Sequence, residues 1–113
     1  MPNRILKNID PATPLELGSL VDAQPGQIVS RTLVQNKAVS ITLFAFDAGE
    51  EISAHESKGD AMVQLLDGTA KITIGANTHR LTAGQTVVMP AGIPHALEAE
   101  TPFRMLLTVV FPA

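Results

Sequence analysis

Apolar and polar residues alternate along most of the chain in short runs, and Gly, Pro, Asn and Asp separate the runs. A period of two is typical of a β-strand with one buried face, because successive side chains point to opposite sides of a sheet. The runs predict strands at residues 27–35, 38–46, 61–66, 69–74, 78–82, 85–89 and 103–111. Short strands at this regular spacing favour an all-β antiparallel sandwich or barrel, with an immunoglobulin-like sandwich as the alternative.

The first part of the chain has a different pattern, with almost no helical periodicity. Thr13-Pro14-Leu15-Glu16 resembles a capping box with proline at the first helical position, and Gly18 limits the predicted helix to about one turn. This segment is nevertheless too apolar for a solvated arm. We therefore expect residues 1–26 to pack on a barrel formed by residues 27–111, in a single domain of residues 1–113, through seven apolar residues: Ile5, Leu6, Ile9, Leu15, Leu17, Leu20 and Val21.

Composition narrows the function classes. The chain has 113 residues, of which 45% are hydrophobic, and this is enough for one core. There is no cysteine, so disulfides and thiolate metal sites are excluded. The net charge is −3 and the basic residues are scattered, so we expect no nucleic-acid partner. No apolar run is long enough for a membrane span or a signal peptide, and we expect a cytoplasmic protein.

Two glycine-bounded segments carry the candidate chemistry: 49-GEEISAHESKGDAMVQLLDG-68 and 84-GQTVVMPAGIPHALE-98. They resemble the paired motifs of the cupin superfamily. In the first, five residues separate Gly49 from His55, and Gly68 closes the motif. The second matches the family spacing of glycine, proline, glycine and histidine at Gly84, Pro90, Gly92 and His95.

The resemblance implies a double-stranded β-helix, the jelly-roll barrel of the cupins. It also implies that the two motifs lie on neighbouring strands, with His55 and His95 converging on the barrel interior. The turns at Asp67-Gly68 and Ala91-Gly92 are expected to need positive φ angles, which glycine adopts without strain.

The family's metal ligands are two histidines and a glutamate from the first motif and one histidine from the second. Here the second histidine position is Ser57 and the glutamate position is Ala61, so only His55 and His95 remain. Two imidazoles fall short of the ligand sets usual for zinc or non-haem iron. We expect no tightly bound cofactor and, at most, a weakly bound divalent transition metal at His55 and His95.

Other polar residues near the motifs are weaker candidates. If no bulge intervenes, alternation places Glu51, Ser53, His55 and Ser57 on one face of a strand. His79 is most simply a surface histidine, and the polar loop of residues 56–60 is most simply a solvated one.

We predict a ligand pocket lined by eight residues: His55, Ser57, Ala61, Val63, Leu65, His95, Met105 and Leu107. Further apolar lining is expected from Ile72, Ile74 and Val88. Three function classes stay open. They are a small-molecule-binding barrel with a degenerate metal site, a metal-dependent enzyme of the dioxygenase, isomerase or decarboxylase type, and a regulatory or structural module.

The expected partners are an unknown small molecule and a second copy of the chain. Small cupins generally pair. In addition, the runs SITLFAF and MLLTVVF are apolar on both faces, and one barrel interior covers only one of them. The other face must be covered by the N-terminal segment or by a second subunit.

Overall fold

The computed structural model describes residues 4–113 and is nearly all β. Within that range there are nine strands and one short 3₁₀ turn, Leu17–Leu20. The strands are β1 (Ile28–Gln35), β2 (Val39–Phe46), β3 (Glu51–His55), β4 (Asp60–Asp67), β5 (Thr69–Ile74), β6 (Asn77–Thr82), β7 (Thr86–Met89), β8 (His95–Glu98) and β9 (Phe103–Val110). The seven predicted strands are present within a residue or two of their predicted limits, and β3 and β8 are additional.

The strands form two antiparallel sheets. One has five strands in the order β1-β2-β9-β4-β7, and the other has four in the order β3-β8-β5-β6. Neighbours in a sheet are mostly distant in sequence, as in a jelly roll, where the chain crosses repeatedly from one sheet to the other. The predicted all-β jelly-roll barrel is confirmed.

The main core lies between the two sheets and is built by alternation. On β4, the side chains of Ala61, Val63 and Leu65 point inward and are buried, while the residues between them face outward. The rings of Phe46 and Phe103 stack with their centroids 4.4 Å apart. Burial of each such large apolar side chain stabilises the fold by about 1.5–3 kcal/mol.

A second apolar cluster covers the outer face of the five-stranded sheet. Val21 is buried there against Leu33, Leu43 and Ala45, and further residues of the N-terminal segment pack around it: Ile9, Leu17, Leu20 and Ala23. The five-stranded sheet is therefore buried on both faces over this area. This explains why β2 and β9 are apolar on both sides.

Part of the N-terminal segment does not pack as expected. Ile5, Leu6 and Leu15 have exposed fractions of 74%, 48% and 38%, so these three take little part in the packing expected of the segment. The outer sheet face is already covered by residues 9–23, which leaves little apolar surface for them. The backbone of this segment is nevertheless bound to strand β1, because the N–H of Lys7 donates to the carbonyl of Leu33 at 2.7 Å.

The predicted helix start at Thr13 is also wrong. The hydroxyl of Thr13 donates to the carbonyl of Pro11 at 3.0 Å and caps no helix. The single helical turn begins instead at Leu17, preceded by Glu16, which makes no capping hydrogen bond. Residues three apart share a side of a 3₁₀ turn, and this position lets Leu17 and Leu20 reach the outer cluster together.

The two predicted glycine turns have the expected backbone. Gly68 has φ +80° and Gly92 has φ +76°. In the part of the chain that the structure describes, no helix is long and apolar enough to cross a membrane.

Candidate functional site

A β-bulge in β3 determines which side chains of the first motif face the barrel interior. Ile52 pairs with Leu97 and His55 pairs with His95. Between these two pairs, β3 contains one residue more than β8. The extra residue turns both Ile52 and His55 towards the interior. The shared face expected for Glu51, Ser53 and His55 required that no bulge intervene, and this condition does not hold. Glu51 lies exposed opposite Glu98.

The strand pairing brings the two motif histidines into contact. Their Nε2 atoms are 3.2 Å apart, and their rings meet edge to face at an angle of 69°. His95 is 3% exposed, whereas His55 is exposed to solvent. The pair thus has one ring inside the barrel and one ring at its opening.

Backbone carbonyls define the hydrogen positions on both rings. The Nδ1 of His55 lies 3.0 Å from the carbonyl of Ser53, and the Nδ1 of His95 lies 3.2 Å from the carbonyl of Ile93. A carbonyl oxygen can only accept, so each Nδ1 carries a hydrogen. The Nε2 of each neutral ring is consequently an acceptor, and two lone pairs face each other unless a proton or another donor joins them.

Burial acts against a positive charge on the inner ring. Loss of solvation lowers the pKa of His95, the charge of a protonated His55 lowers it further, and the bond to the Ile93 carbonyl opposes both effects. His95 is therefore held in its neutral form at neutral pH, with its Nε2 lone pair directed at His55.

The histidine pair forms the polar end of a cavity of about 230 Å³. Six of the eight predicted pocket residues line it: His55, Ser57, Ala61, His95, Met105 and Leu107. Val63 and Leu65 point to the same side of β4 as Ala61, but they lie deeper in the main core and do not line the cavity. Ile72 is likewise part of the main core, and Ile74 packs against that core. Neither of these two residues lines the cavity.

Val88 was expected in the lining and is instead on the outer surface, 49% exposed. It pairs with Met62 of β4, and its neighbours Val87 and Met89 take the inward positions of β7. The apolar run of β7 hides this alternation, so the sequence pattern alone assigned the wrong face.

Sequence reasoning missed six lining residues: Phe44, Ile52, Glu56, Met89, Leu97 and Val109. Alternation could have found two of them, since Phe44 shares a face with Phe46, and Val109 shares a face with Leu107. Ile52 is placed by the bulge, for which the sequence has no clear signal. Glu56 was interpreted as a solvated charge, and although it is exposed, it also lines the cavity.

Three hydrogen bonds hold the loops at the cavity opening together. The carboxylate of Asp60 accepts from the N–H of Ala91 at 2.9 Å, and the carbonyl of Ser57 accepts from the N–H of Gly92 at 2.9 Å. The hydroxyl oxygen of Ser57 accepts from the N–H of Gly59 at 3.2 Å. Neither Ser53 nor Ser57 orients a ring through its hydroxyl, because the Nδ1 atoms of His55 and His95 lie against the backbone carbonyls of Ser53 and Ile93.

These residues do not fit the metal centre that the motifs imply. At the ligand positions of the first motif, Ala61 has no donor atom, and the Ser57 hydroxyl is engaged with Gly59. Among residues 4–113, no group of three or more His, Asp or Glu residues is placed to hold a metal ion. The two imidazoles of the described site fall short of the three protein ligands usual in a catalytic zinc site.

The comparison with protein families agrees with the fold and the two motifs. The sequence model of the cupin domain matches residues 42–111, from β2 to the end of β9. The chain belongs to the cupin family.

Two solved structures resemble this one over nearly its whole length. A protein of unknown function from Streptococcus pyogenes is 50% identical, covers 98% of this chain and 97% of its own, and superposes with a TM-score of 0.95. A cupin superfamily protein from Desulfitobacterium hafniense is 34% identical, covers 95% of this chain and 98% of its own, and has a TM-score of 0.90.

A relative known from its sequence is an uncharacterized protein of Streptomyces coelicolor. It is 29% identical over 79 residues, which are 70% of this chain and 75% of the relative. The match to the cupin domain establishes the family and the solved structures establish the fold, and none of them carries a ligand or activity to this chain.

Proposed function

We propose that this cupin binds a small organic molecule in the cavity beside His55 and His95. One observation carries the proposal: two imidazole Nε2 acceptors, 3.2 Å apart, end a cavity that is otherwise mostly apolar. Ligand sites are typically concave and apolar, with a few polar groups that fix the orientation of the ligand.

The cavity volume limits the ligand to a small one. Its 230 Å³ lies below the range of about 300–1,000 Å³ that is typical for drug-sized ligands. An engineered apolar cavity of about 150 Å³ holds benzene, so a ligand of roughly six to ten non-hydrogen atoms fits here.

A thermal-shift screen with small fragments tests this proposal, because a ligand that binds only the folded chain raises its melting temperature. The decisive variant is Ala61→Leu, which fills the cavity from β4 and should abolish the shift. The matched control is Met62→Leu, on the outer face of the same strand, which should leave it unchanged. A fragment that stabilises both variants equally would place binding elsewhere and contradict the proposal.

The two other function classes predict different results. A metal-dependent dioxygenase, isomerase or decarboxylase requires stoichiometric metal, so metal analysis of untagged protein separates it from the binding function. A regulatory or structural module would show no fragment that stabilises the wild type and fails on Ala61→Leu.

A further inference from the structure

We propose that the ligand is a primary ammonium with a compact apolar body, held by its N–H groups against the two Nε2 atoms. This inference rests on the proposed binding function and names the chemical class of the ligand. It follows from the hydrogen positions on the rings, from the number of donors that different ligands offer and from the charges that line the cavity.

The hydrogen positions make the polar end of the cavity accepting. Both Nδ1 hydrogens are used by the carbonyls of Ser53 and Ile93, so the neutral rings present two lone pairs and no N–H. At 3.2 Å the two Nε2 atoms pair directly only when one of them carries a proton, so with both rings neutral their lone pairs face each other and repel. A ligand that brings hydrogens removes this repulsion, whereas a ligand that brings only acceptor atoms increases it.

Donor number separates the candidate ligand groups. A primary ammonium has three N–H donors and no acceptor, so one such group can serve both Nε2 atoms and have a hydrogen left. A hydroxyl has a single donor and leaves one Nε2 unpaired. A carboxylate has none, and in the part of the chain that the structure describes the Ser57 hydroxyl is the only O–H in the lining that could serve it.

The charges of the lining favour a cation over an anion. Among residues 4–113, Glu56 is the one acidic residue that lines the cavity, and neither Lys nor Arg does so. The remainder of the lining suits an apolar body, since Phe44, Met105 and Leu107 lie along it.

The experiment compares benzylammonium, benzyl alcohol and benzoate by calorimetry at about pH 8, where histidine rings are neutral. The three probes share one ring and differ in the polar group. We expect benzylammonium to bind at least about tenfold more tightly than the other two. Binding of benzoate or benzyl alcohol at equal or higher affinity would overturn the ammonium assignment and leave the binding function standing.

Two matched variants test whether the carboxylate of Glu56 contributes to binding of the ammonium group. Glu56→Gln should weaken benzylammonium several-fold and leave benzyl alcohol unchanged, whereas Glu51→Gln, on the opposite face of β3, should change neither. Equal losses for both probes in Glu56→Gln would also overturn the assignment. If none of the three probes binds the wild type, the ammonium assignment fails, and the fragment screen with Ala61→Leu decides the binding function separately.

Discussion

Among single residues, His55 and His95 determine the hydrogen-bonding character of the polar end of the cavity. Their Nδ1 hydrogens are fixed by backbone carbonyls, so both Nε2 lone pairs remain available to a ligand, a proton or a metal ion. At the usual Zn–N length, two nitrogens bound to one tetrahedral zinc ion are about 3.3 Å apart. The observed 3.2 Å therefore matches a chelating pair, although the other ligands of the family are missing.

Metal binding should accordingly be weak. Protein purified without an affinity column should contain well under one equivalent of transition metal, and added Ni²⁺ or Zn²⁺ should bind through the two rings. The binding should weaken as pH falls through the histidine range, because a protonated ring cannot ligate. The double substitution Ser57→His with Ala61→Glu adds the two absent donors and should raise the affinity strongly, as elemental analysis and titration would measure.

The controls for metal binding use the third histidine. His79 is exposed on β6, so His79→Ala should leave Ni²⁺ binding intact, whereas His55→Ala should abolish it. Stoichiometric metal in the untagged wild type would mean that a ligand has been missed. The enzyme function would then become the stronger proposal.

The buried ring also makes stability depend on pH. The pKa of His95 is lowered in the folded chain, so between that value and about 6.5, the usual histidine pKa, the unfolded state binds more protons. The contribution of the neutral His95 ring to the unfolding free energy is therefore fully present above about pH 6.5 and is lost as pH falls below that value. Denaturant unfolding with a chelator present should show wild type losing stability relative to His95→Gln between about pH 8 and pH 5. A constant difference would contradict the assignment of this loss to His95.

At the scale of elements, the strands with regular alternation were predictable and the two strands that carry the site were not. In β4 and β5, buried and partly exposed residues alternate as the sequence pattern indicates. In β3, four of five residues are exposed and a bulge interrupts the register, so no apolar period marks the strand. The motif spacing still indicated His55 and His95, but the bulge decided which neighbours, Ile52 and not Glu51, line the cavity.

The β4–β5 turn depends on Gly68 for two separate reasons. Its φ of +80° is unfavourable for any residue with a Cβ, and a Cβ there would clash with the carbonyl oxygen of Pro102 and lie 2.9 Å from the Cβ of Phe103. Gly84 has a similar φ of +91° with no atom near the Cβ position, so it reports the backbone strain alone. Gly84→Ala should cost about 1–2 kcal/mol of unfolding free energy, and Gly68→Ala about 1–3 kcal/mol more. Equal costs would show that the contact with Pro102 and Phe103 does not matter.

At the scale of the whole molecule, the apolar outer face of the five-stranded sheet was predicted to need a cover. Residues 9–23 supply much of that cover, while Val88 and Val110 remain 49% and 57% exposed on the same face. The homodimer stays a prediction, with these two residues at the contact. Light scattering at micromolar concentration should give twice the chain mass, and Val88→Asp with Val110→Asp should halve it. A monomeric wild type would contradict the prediction.

Two N-terminal truncations of different length test how much the N-terminal segment stabilises the barrel. A chain that begins at residue 7 loses Ile5 and Leu6, whose side chains are 74% and 48% exposed, so its unfolding free energy should stay within about 0.5 kcal/mol of wild type. A chain that begins at residue 27 loses Val21 and uncovers Leu43 and Ala45, both fully buried now. Because each large side chain contributes about 1.5–3 kcal/mol on burial, this deletion should cost at least about 3 kcal/mol or prevent folding. Denaturant unfolding of the two truncated chains measures the difference, and an unchanged midpoint for the shorter chain would show that the outer cluster does not stabilise the barrel.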